Sequence, residues 1–419
     1  MTLLPRRSVA DFLTRKSGAV PEEVRTTAEH IVRAVEAGGE QALLEYAVQL
    51  GDLRPGDPLY LDRTALQAHL AALDTESRTR LESVADGIES FARAQLNTLK
   101  PLVTTVPGGT AGHQIRPVAC AGCYAPGGRY PLPSSALMTA ITARVAGVGR
   151  VWVASPNPAP ITIAAAALAG ADGLLRAGGA HAIAALAFGV GPIPPSDVVV
   201  GPGNQYVTAA KQYVAGRVAI DMLAGPSELV VLADDGSDPA LVAADLLAQA
   251  EHDVDALPIV VTTDESMLSR VEAELERQLS DLTTAATARR ALANGGAVLC
   301  RSMDEALQAT DTLAPEHLHV CVSEPDRLID RLEHFGAAFI GQDSAEVFGD
   351  YGIGPNHVLP TGGTARSRGG LSVLTFLRVR TWLRLDESAA LSGLIDDVTW
   401  LARQEGLEAH ARAAERRRR

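Results

Sequence analysis

From residue 114 onward, the sequence alternates short continuous apolar runs with alanine-rich segments that are long enough to form helices. Strands buried on both faces of a parallel sheet show no polar alternation, and the connection between two such strands is usually a helix. This pattern predicts an α/β fold with two doubly wound parallel-sheet domains in tandem. The runs that we predict to be strands are 118–120, 151–154, 174–177 and 198–200, then 229–232, 259–262, 297–300, 318–321 and 337–340.

The segments between the strands carry helix signals, and we predict helices at 134–146, 160–168 and 180–188. A further helix is predicted to begin at Pro239, because Asp238 can cap its free amide groups and proline suits the first helical position. Two such sheet domains would meet at a cleft. In open α/β sheets ligands bind outside the carboxyl ends of the strands, so we expect the functional residues in loops at those ends.

Both ends of the chain are predicted to be mainly helical. One N-terminal helix is expected to begin near Pro21 and to stop at Gly38-Gly39, whereas residues 343–370 form a glycine-rich stretch without a helix or strand pattern. The segment 386–410 is helical and amphipathic, and it could leave its own subunit to pack on a partner. We predict a helical N-terminal segment at 1–110, sheet domains at 111–225 and 226–345, and an active-site loop with a helical C-terminal tail at 346–419.

Composition excludes several classes of function. The formal net charge of −13 argues against a general affinity for nucleic acid or for an anionic membrane, and no apolar run has the length of a membrane span. Four cysteines in 419 residues, without a secretory leader, favour a cytoplasmic protein. Cys120 and Cys123 form a CxxC pair, but no second pair and no directly following helix accompany it, so we interpret them as small buried residues.

The sequence also predicts a metal site with an acid/base pair. Gln249 and His252 lie three residues apart near the end of a predicted helix, so that their side chains share one face and could bind one ion. Later stretches add further carboxylates and imidazoles, which predicts a metal-dependent enzyme. These stretches are Pro315-Glu316-His317, Gly349-Asp350 leading to Asn356-His357, and 405–410 with the sequence EGLEAH.

Two of these features leave alternatives open. Adjacent side chains of an extended segment point to opposite sides, so Glu316 and His317 can serve one substrate only if Pro315 bends the chain; otherwise the pair is a loop with a salt bridge. The glycine-rich loops 125–128, 201–204 and 225–228 fit either close approach of a ligand or plain structural turns.

Several longer strings resemble one known family, the histidinol dehydrogenases, over nearly all of the chain after residue 115. The resemblance implies two Rossmann-like domains with smaller flanking segments and a homodimer with exchanged tails. The strings are GPGNQYVTAAK, IDMLAGPSELVVLAD, LLAQAEHD, APEHL, GPNHVLPTGGTAR and EGLEAHA.

The resemblance also implies roles for single residues. It implies Zn²⁺ bound by Gln249, His252, Asp350 and His410, with His410 supplied by the other subunit. It implies that His317 is the general base for hydride transfer to NAD and that Glu316 activates water for a second oxidation. The positions that match substrate contacts in the family are Ser134, Ser135, Ser227, His357 and Glu405, and those that match NAD contacts are Tyr124, Asn204 and His181, the last in place of a glutamine.

The default substrate implied by the resemblance is L-histidinol, which is oxidised through the aldehyde to L-histidine. The strings AGCYAPGGRY and GGLSVLTFLRVRTWLRL instead resemble a paralogue that oxidises dihydroxypropanesulfonate with the same zinc site. An anionic substrate would require a cation at the cleft, for which Arg129, Arg366 and Arg368 are candidates. The ligand set admits manganese as well as zinc. A catalytically silent relative would lack a ligand or the base, yet each of these positions carries a suitable side chain.

Overall fold

The computed structural model describes residues 2–16, 20–127, 131–351, 353–386 and 389–418. Its strands are β1 (Tyr60–Asp62), β2 (Leu102–Val106), β3 (Gly109–Pro117), β4 (Cys120–Tyr124), β5 (Arg150–Ala154), β6 (Gly173–Leu175), β7 (Val198–Val200), β8 (Ala219–Ile220), β9 (Glu228–Ala233), β10 (Leu257–Thr262), β11 (Gly296–Leu299), β12 (His317–Cys321), β13 (Ala337–Ile340) and β14 (Leu377–Leu385). Its helices are α1 (Val9–Lys16), α2 (Glu22–Gln49), α3 (Arg63–Ala71), α4 (Thr75–Asn97), α5 (Pro133–Val145), α6 (Pro160–Leu168), α7 (Gly179–Phe188), α8 (Gln205–Val214), α9 (Pro239–His252), α10 (Glu265–Leu279), α11 (Ala285–Asn294), α12 (Met303–Leu313), α13 (Glu346–Tyr351), α14 (Ala389–Gln404) and α15 (Glu408–Glu415).

The first sheet has six strands in the order β1-β6-β5-β4-β7-β8. All neighbours are parallel except β1, which pairs antiparallel with β6 at the edge. The central strands β4, β5 and β7 are almost completely buried, because apolar helices cover both faces of the sheet. The uninterrupted apolar runs of the sequence therefore correctly predicted a parallel sheet, with small shifts of the strand ends.

The second sheet has five strands in the order β11-β10-β9-β12-β13, and all of its pairs are parallel. Helices α9, α10 and α11 pack on one face, and α1 and α12 pack on the other. Asp238 caps α9 by accepting a hydrogen bond from the Ala240 amide, as its sequence predicted. Because α9 packs on β9 and β10, its last turn is held at the edge of the sheet, where Gln249 and His252 lie.

A third, antiparallel sheet in the order β14-β3-β2 was not predicted. The strand β14 lies in the C-terminal region that was expected to be loop and helix, and all nine of its residues pair with β3. The sequence LRVRTWLRL alternates apolar residues with arginines, which is the pattern of a strand with two different faces. Both faces of β14 are largely exposed within this chain.

Two further predictions need correction. The N-terminal helix does not stop at Gly38-Gly39, because α2 bends at Gly39 and continues to Gln49, where Leu43 and Ala47 are buried in the same core as Val35. Residues 343–370 are not without helix, since they contain α13 and a 3-10 turn at Thr364–Arg366. A six-residue helix such as α13 is too short to show a helical repeat in sequence.

Cys120 and Cys123 are buried on β4 as free thiols, which confirms their interpretation as packing residues. Burial raises the pKa of the Cys123 thiol to about 12. Within the described residues, no helix is both long enough and apolar enough to cross a bilayer.

Candidate active site

A cleft of ≈ 680 Å³ lies between the two parallel sheets. The first sheet contributes the loops that follow β4 and β7, at the carboxyl ends of its strands, as expected. The second sheet contributes the amino ends of its strands, since Ser227 directly precedes β9 and His317 is the first residue of β12. We expected the functional residues at the carboxyl ends of the strands. For the second sheet this expectation is wrong, because the functional side chains of α9 and α13 lie at the amino ends of its strands.

Possible metal ligands come together where α9 meets α13. Ligand atoms of His252, Glu346 and Asp350 all lie within 4.8 Å of one another. Glu346 and Asp350 stand one turn apart on α13, so that both carboxyls face α9. His252 is partly open to solvent, whereas Glu346 and Asp350 are buried. The predicted ligands His252 and Asp350 are thus brought together, and Glu346 joins them.

Gln249 lies one turn before His252 on α9 and is completely buried. Neither its Oε1 nor its Nε2 has a hydrogen-bond partner among the described residues. Leaving a buried polar group without a partner costs on the order of 1–3 kcal/mol, and a bound ion or water molecule at this amide would remove that cost. Amide oxygen, imidazole nitrogen and carboxylate oxygen are donors that zinc accepts, so the residues present fit a zinc ion.

His317 lies beside this cluster, and the neighbours of its two ring nitrogens show where its proton lies. Nδ1 is 3.3 Å from the backbone oxygen of Glu228, 3.6 Å from Oε1 of Glu346 and 3.7 Å from Oε2 of Glu316. A carbonyl oxygen can only accept, so the ring hydrogen belongs on Nδ1. Nε2 then carries the lone pair and lies 3.9 Å from Oδ1 of Asp350. In the part of the chain that the structure describes, it has no hydrogen-bond partner.

Burial sets the charge of this imidazole. It lowers the pKa of His317 to about 4, although the nearby Asp350 carboxylate opposes the shift. Burial also lowers the pKa of His357, whose Nε2 has no partner. Both rings are therefore neutral near pH 7, and His317 presents a free nitrogen base to the cleft.

Glu316 lies next to His317 and is also buried. Both side chains line the same cleft. The chain turns just before them, where Ala314 adopts a left-handed conformation with φ 45° after α12. Oε2 of Glu316 accepts a hydrogen bond of 3.0 Å from the backbone amide of Glu228. Burial raises the pKa of Glu316 well above its ordinary value.

The first sheet supplies the opposite wall of the cleft. Ser134 and Ser135 occupy the first turn of α5, where free backbone amides also point outward, and both side chains are buried. Tyr124 ends β4, and its hydroxyl accepts a hydrogen bond from the Gly179 amide. Asn204 caps α8 through the amides of Tyr206 and Val207 and lines the same wall.

The loop 201–204 is held from beneath by a buried ion pair that the sequence did not reveal. Nζ of Lys211 donates to the backbone oxygen of Gly201 at 2.9 Å and pairs with Asp221. Asp221 in turn accepts from the Gly201 amide at 2.7 Å. The loop therefore has a fixed backbone, with its outer side facing the cleft.

His181 is not among the residues that line the cleft. It is buried in the first turn of α7, with Nε2 2.8 Å from Oδ2 of Asp52, while Nδ1 has no partner. The same Asp52 oxygen accepts a hydrogen bond from the Gly178 amide. A carboxylate of the N-terminal segment thus occupies the beginning of α7, and a direct contact between His181 and a dinucleotide stays a prediction.

Glu405 and His410 are the predicted site residues that lie apart from the cleft. Both are exposed, at the end of α14 and in α15 respectively. These helices pack on each other, and within the described chain they make no extensive contact with another helix or strand. The role predicted for His410 therefore requires the tail of a second subunit.

The structure also adds Glu346, which the sequence analysis missed. Its Oε2 is buried without a partner, and burial, with Asp350 and Glu316 nearby, raises its pKa well above the ordinary value. A signal was available, because Glu346 and Asp350 are spaced as two residues on one helical face. It went unrecognised because this stretch was interpreted as loop.

Known proteins match this chain along nearly its whole length. The family model described as histidinol dehydrogenase matches residues 14–418. The histidinol dehydrogenase of Thermus thermophilus is 45% identical over 398 residues, which cover 94% of this chain and 95% of the relative. That of Haloarcula marismortui is 43% identical over 414 residues, which cover 97% and 96%.

Solved structures lead to the same assignment. The crystal structure of histidinol dehydrogenase from Elizabethkingia anophelis superposes with a TM-score of 0.92 at 31% identity, covering 99% of this chain and 98% of that one. An acetylating aldehyde dehydrogenase from Geobacillus thermoglucosidasius, 14% identical with a TM-score of 0.51, covers 91% of this chain and 97% of its own and is similar in fold alone. The sequence and structural matches over nearly the whole chain establish that it belongs to the histidinol dehydrogenase family.

Proposed function

We propose that this protein is a zinc-dependent enzyme that oxidises L-histidinol through the aldehyde to L-histidine, with NAD as the acceptor of two hydrides. The observation that carries the proposal is the neutral His317, whose free Nε2 lies beside the possible metal ligand Asp350. A base and a Lewis acid at one end of a cleft are what the removal of an alcohol proton requires. The family name of the relatives supplies the substrate.

Gln249, His252 and Asp350 would hold the metal, together with His410 of a second subunit. The bound ion would polarise the oxygen of the substrate. Of the three ligands in this chain, only His252 is substantially exposed, so the open side of the cluster faces the cleft. A substrate bound in the cleft could therefore reach the ion.

In the first oxidation, Nε2 of His317 accepts the proton of the alcohol hydroxyl while the hydride leaves the same carbon for NAD. The carbon–oxygen single bond becomes the carbonyl of the aldehyde. The hydrogen bond from Nδ1 to the backbone oxygen of Glu228 fixes the ring and its tautomer. The carboxylate of Asp350, 3.9 Å from Nε2, stabilises the imidazolium that forms.

In the second oxidation, Glu316 accepts a proton from water as the water oxygen adds to the aldehyde carbon. The hydrate then loses its remaining carbon-bound hydrogen as hydride to a second NAD, and the carboxylic acid results. A raised pKa makes Glu316 a stronger base than an ordinary carboxylate. The hydrogen bond from the Glu228 amide to its Oε2 holds the carboxyl group in place.

The charge of the cleft favours a cationic amino alcohol over a sulfonate. The described residues that line it include Asp253, Asp255 and Asp350 but no lysine or arginine. Of the candidate cations, Arg366 donates to the backbone oxygens of Asp311 and Thr312, and Arg368 donates to that of Asp221. Arg129 lies outside the described residues. The ammonium group of L-histidinol suits such an acidic wall.

The enzyme is proposed to act as a homodimer whose C-terminal tails are exchanged. In this chain α14 exposes Trp400 and Leu401, with 64% and 53% of their surface accessible. Val379 and Leu383 of β14 are similarly exposed, at 64% and 61%. A second copy of this chain would cover these apolar side chains and bring its His410 to the cluster. The division into segments 1–110, 111–225, 226–345 and 346–419 remains a prediction.

The deciding experiment measures NADH formation by the zinc-loaded protein with L-histidinol, beside dihydroxypropanesulfonate and simple amino alcohols. We expect two NADH per L-histidinol, at about one turnover per second or more. Brisk turnover of the sulfonate with feeble turnover of L-histidinol would instead assign the protein to the paralogue. No NADH with any alcohol would overturn the proposal.

A further inference from the structure

His319 is a second buried histidine on the strand that carries the proposed base. It lies two residues after His317 in β12, so both side chains point to the same face of the sheet. The ring has no exposed surface. Its Nδ1 is 2.6 Å from Oδ2 of Asp245, and its Nε2 is 2.9 Å from the backbone oxygen of Gly341. The imidazole thus connects two separate parts of the chain.

Both of these parts lead to the candidate metal site. Asp245 lies on α9 one turn before Gln249 and two turns before His252, which places all three on one face of the helix. Gly341 directly follows β13, and its backbone oxygen also accepts a hydrogen bond of 3.0 Å from the Ser344 amide. That turn leads into α13, which carries the carboxyls of the cluster.

His319 takes part in two hydrogen bonds, and each of them needs one hydrogen between its two atoms. The Gly341 oxygen can only accept, so Nε2 carries a hydrogen. At the other end, either Nδ1 also carries a hydrogen and donates to an ionised Asp245, or a protonated Asp245 donates to Nδ1. In both states the ring is bonded at both ends, and no other side chain of the described residues bonds to it.

We propose that His319 is a positioning residue of the metal site: by bonding to Asp245 and to Gly341, it fixes the spacing between α9 and α13. That spacing sets the distance between His252 and Asp350. Metal sites tolerate errors of only a few tenths of an ångström in ligand position, so a connection of this kind affects affinity without contacting the ion. The inference rests on the proposed function, because it concerns the metal proposed there.

The alternative is that the pair contributes only to stability, and a double variant separates the two roles. Replacing a buried ion pair with apolar residues of similar volume is often neutral or stabilising, so Asp245→Leu/His319→Leu should fold with a melting temperature near that of the wild type. Positioning predicts that this variant loses zinc to EDTA at least about tenfold faster than the wild type. The visible spectrum of its Co²⁺ form should also change.

Asp245→Asn is the conservative counterpart of that variant. The amide can donate to Nδ1 while Nε2 donates to Gly341, so both connections survive without a charge. Zinc release should then stay within about twofold of the wild-type rate, since the geometry around the ion is kept. Val320→Ala is the matched control for stability, because Val320 faces the opposite side of the sheet, away from α9. It should lower the melting temperature and leave zinc release unchanged.

The inference would be overturned if the double variant released zinc at the wild-type rate. It would also be overturned if Asp245→Asn released zinc as fast as the double variant. If the double variant does not fold, the same decision follows from comparing Asp245→Leu with Asp245→Asn. The proposed function is tested separately in this experiment by His252→Ala. If His252→Ala retains zinc as the wild type does, the metal site itself is misassigned.

Discussion

Nε2 of His252, at the end of α9, lies 4.0 Å from Oδ2 of Asp350 in α13. This separation is too long for a hydrogen bond and is below the ~4.2 Å that two metal–ligand bonds of ~2.1 Å can span. The two side chains come from different elements on one side of the second sheet. Their approach, with the amide of Gln249 nearby, is the arrangement that the proposed shared ion requires.

Replacing His252 with alanine should therefore remove the metal rather than unfold the protein. His252 is partly exposed, so its loss leaves no large cavity, whereas the site loses one of its ligands. We expect bound zinc after gel filtration to fall by at least about tenfold, as measured by metal analysis. His30→Ala, at an exposed histidine of α2, is the control and should keep full zinc. Equal zinc in both variants would contradict the assignment.

His317→Asn should separate catalysis from metal binding. The asparagine amide can still donate to the backbone oxygen of Glu228, but the side chain offers no basic nitrogen at the position of Nε2. We expect kcat for L-histidinol to fall by about 10²–10⁴-fold, the usual contribution of a general base, while zinc content and KM stay near their wild-type values. The assignment of the base would be wrong if most of the rate remained.

The fold followed from the sequence wherever a short apolar run was buried on both faces, as in β5, β7 and β9. The end of α2 was mispredicted because two glycines suggested that the helix stops there, whereas Gly39 bends the helix without ending it. The strand β14 was missed for a different reason. Its pairing with β3 joins distant parts of the chain, and nothing local in the sequence specifies that partner.

The candidate site, like the fold, could be predicted from the sequence only in part. Gln249 and His252 were predicted from their helical spacing, and α9 provides the face that the spacing requires. Glu346 was missed because residues 343–370 were predicted to be loop, so that its helical spacing from Asp350 was not used. Its burial and its proximity to His317 are tertiary properties that the sequence does not give. The functional edge of the second sheet was also mispredicted, because the general preference for carboxyl ends does not describe a site built between two sheets.

Glu346 should make the stability of the metal-free protein depend on pH. Burial raises its pKa above the ordinary value of 4.5, so the folded protein keeps a proton that the unfolded chain has already lost. Stability contributed by this group is therefore lost as pH rises above about 4.5. Glu346→Gln carries no such proton and should melt at least about 2 °C higher than the wild type at pH 8, as measured in EDTA.

The difference in melting temperature between Glu346→Gln and the wild type should shrink as the pH is lowered. Below the ordinary pKa of a carboxyl group, residue 346 is neutral in both proteins, whether the chain is folded or unfolded. Glu333→Gln serves as the control, since Glu333 is exposed on the surface. Its melting temperature should follow that of the wild type at every pH. A Glu346→Gln variant that was no more stable than the wild type at pH 8 would show that burial does not hold this carboxyl neutral.

Mixing two inactive variants should test whether the tail is exchanged. His410→Ala lacks a ligand in its tail, and His317→Asn lacks the base in its body, so each homodimer is expected to be inactive. In a mixed dimer with exchanged tails, the body of the His410→Ala chain receives an intact tail from its partner and regains one complete site. Random mixing gives half mixed dimers with one active site of two, so about 25% of wild-type activity should return.

The reason to expect exchange is the exposure of His410 on α15, apart from the cluster formed by His252 and Asp350 in the same chain. The variants must be unfolded and refolded together, because a buried dimer interface exchanges subunits slowly. Refolding each variant alone provides the baseline and should give no activity. If the refolded mixture also stays inactive although mixed dimers are detected by mass, the tail completes the site of its own chain.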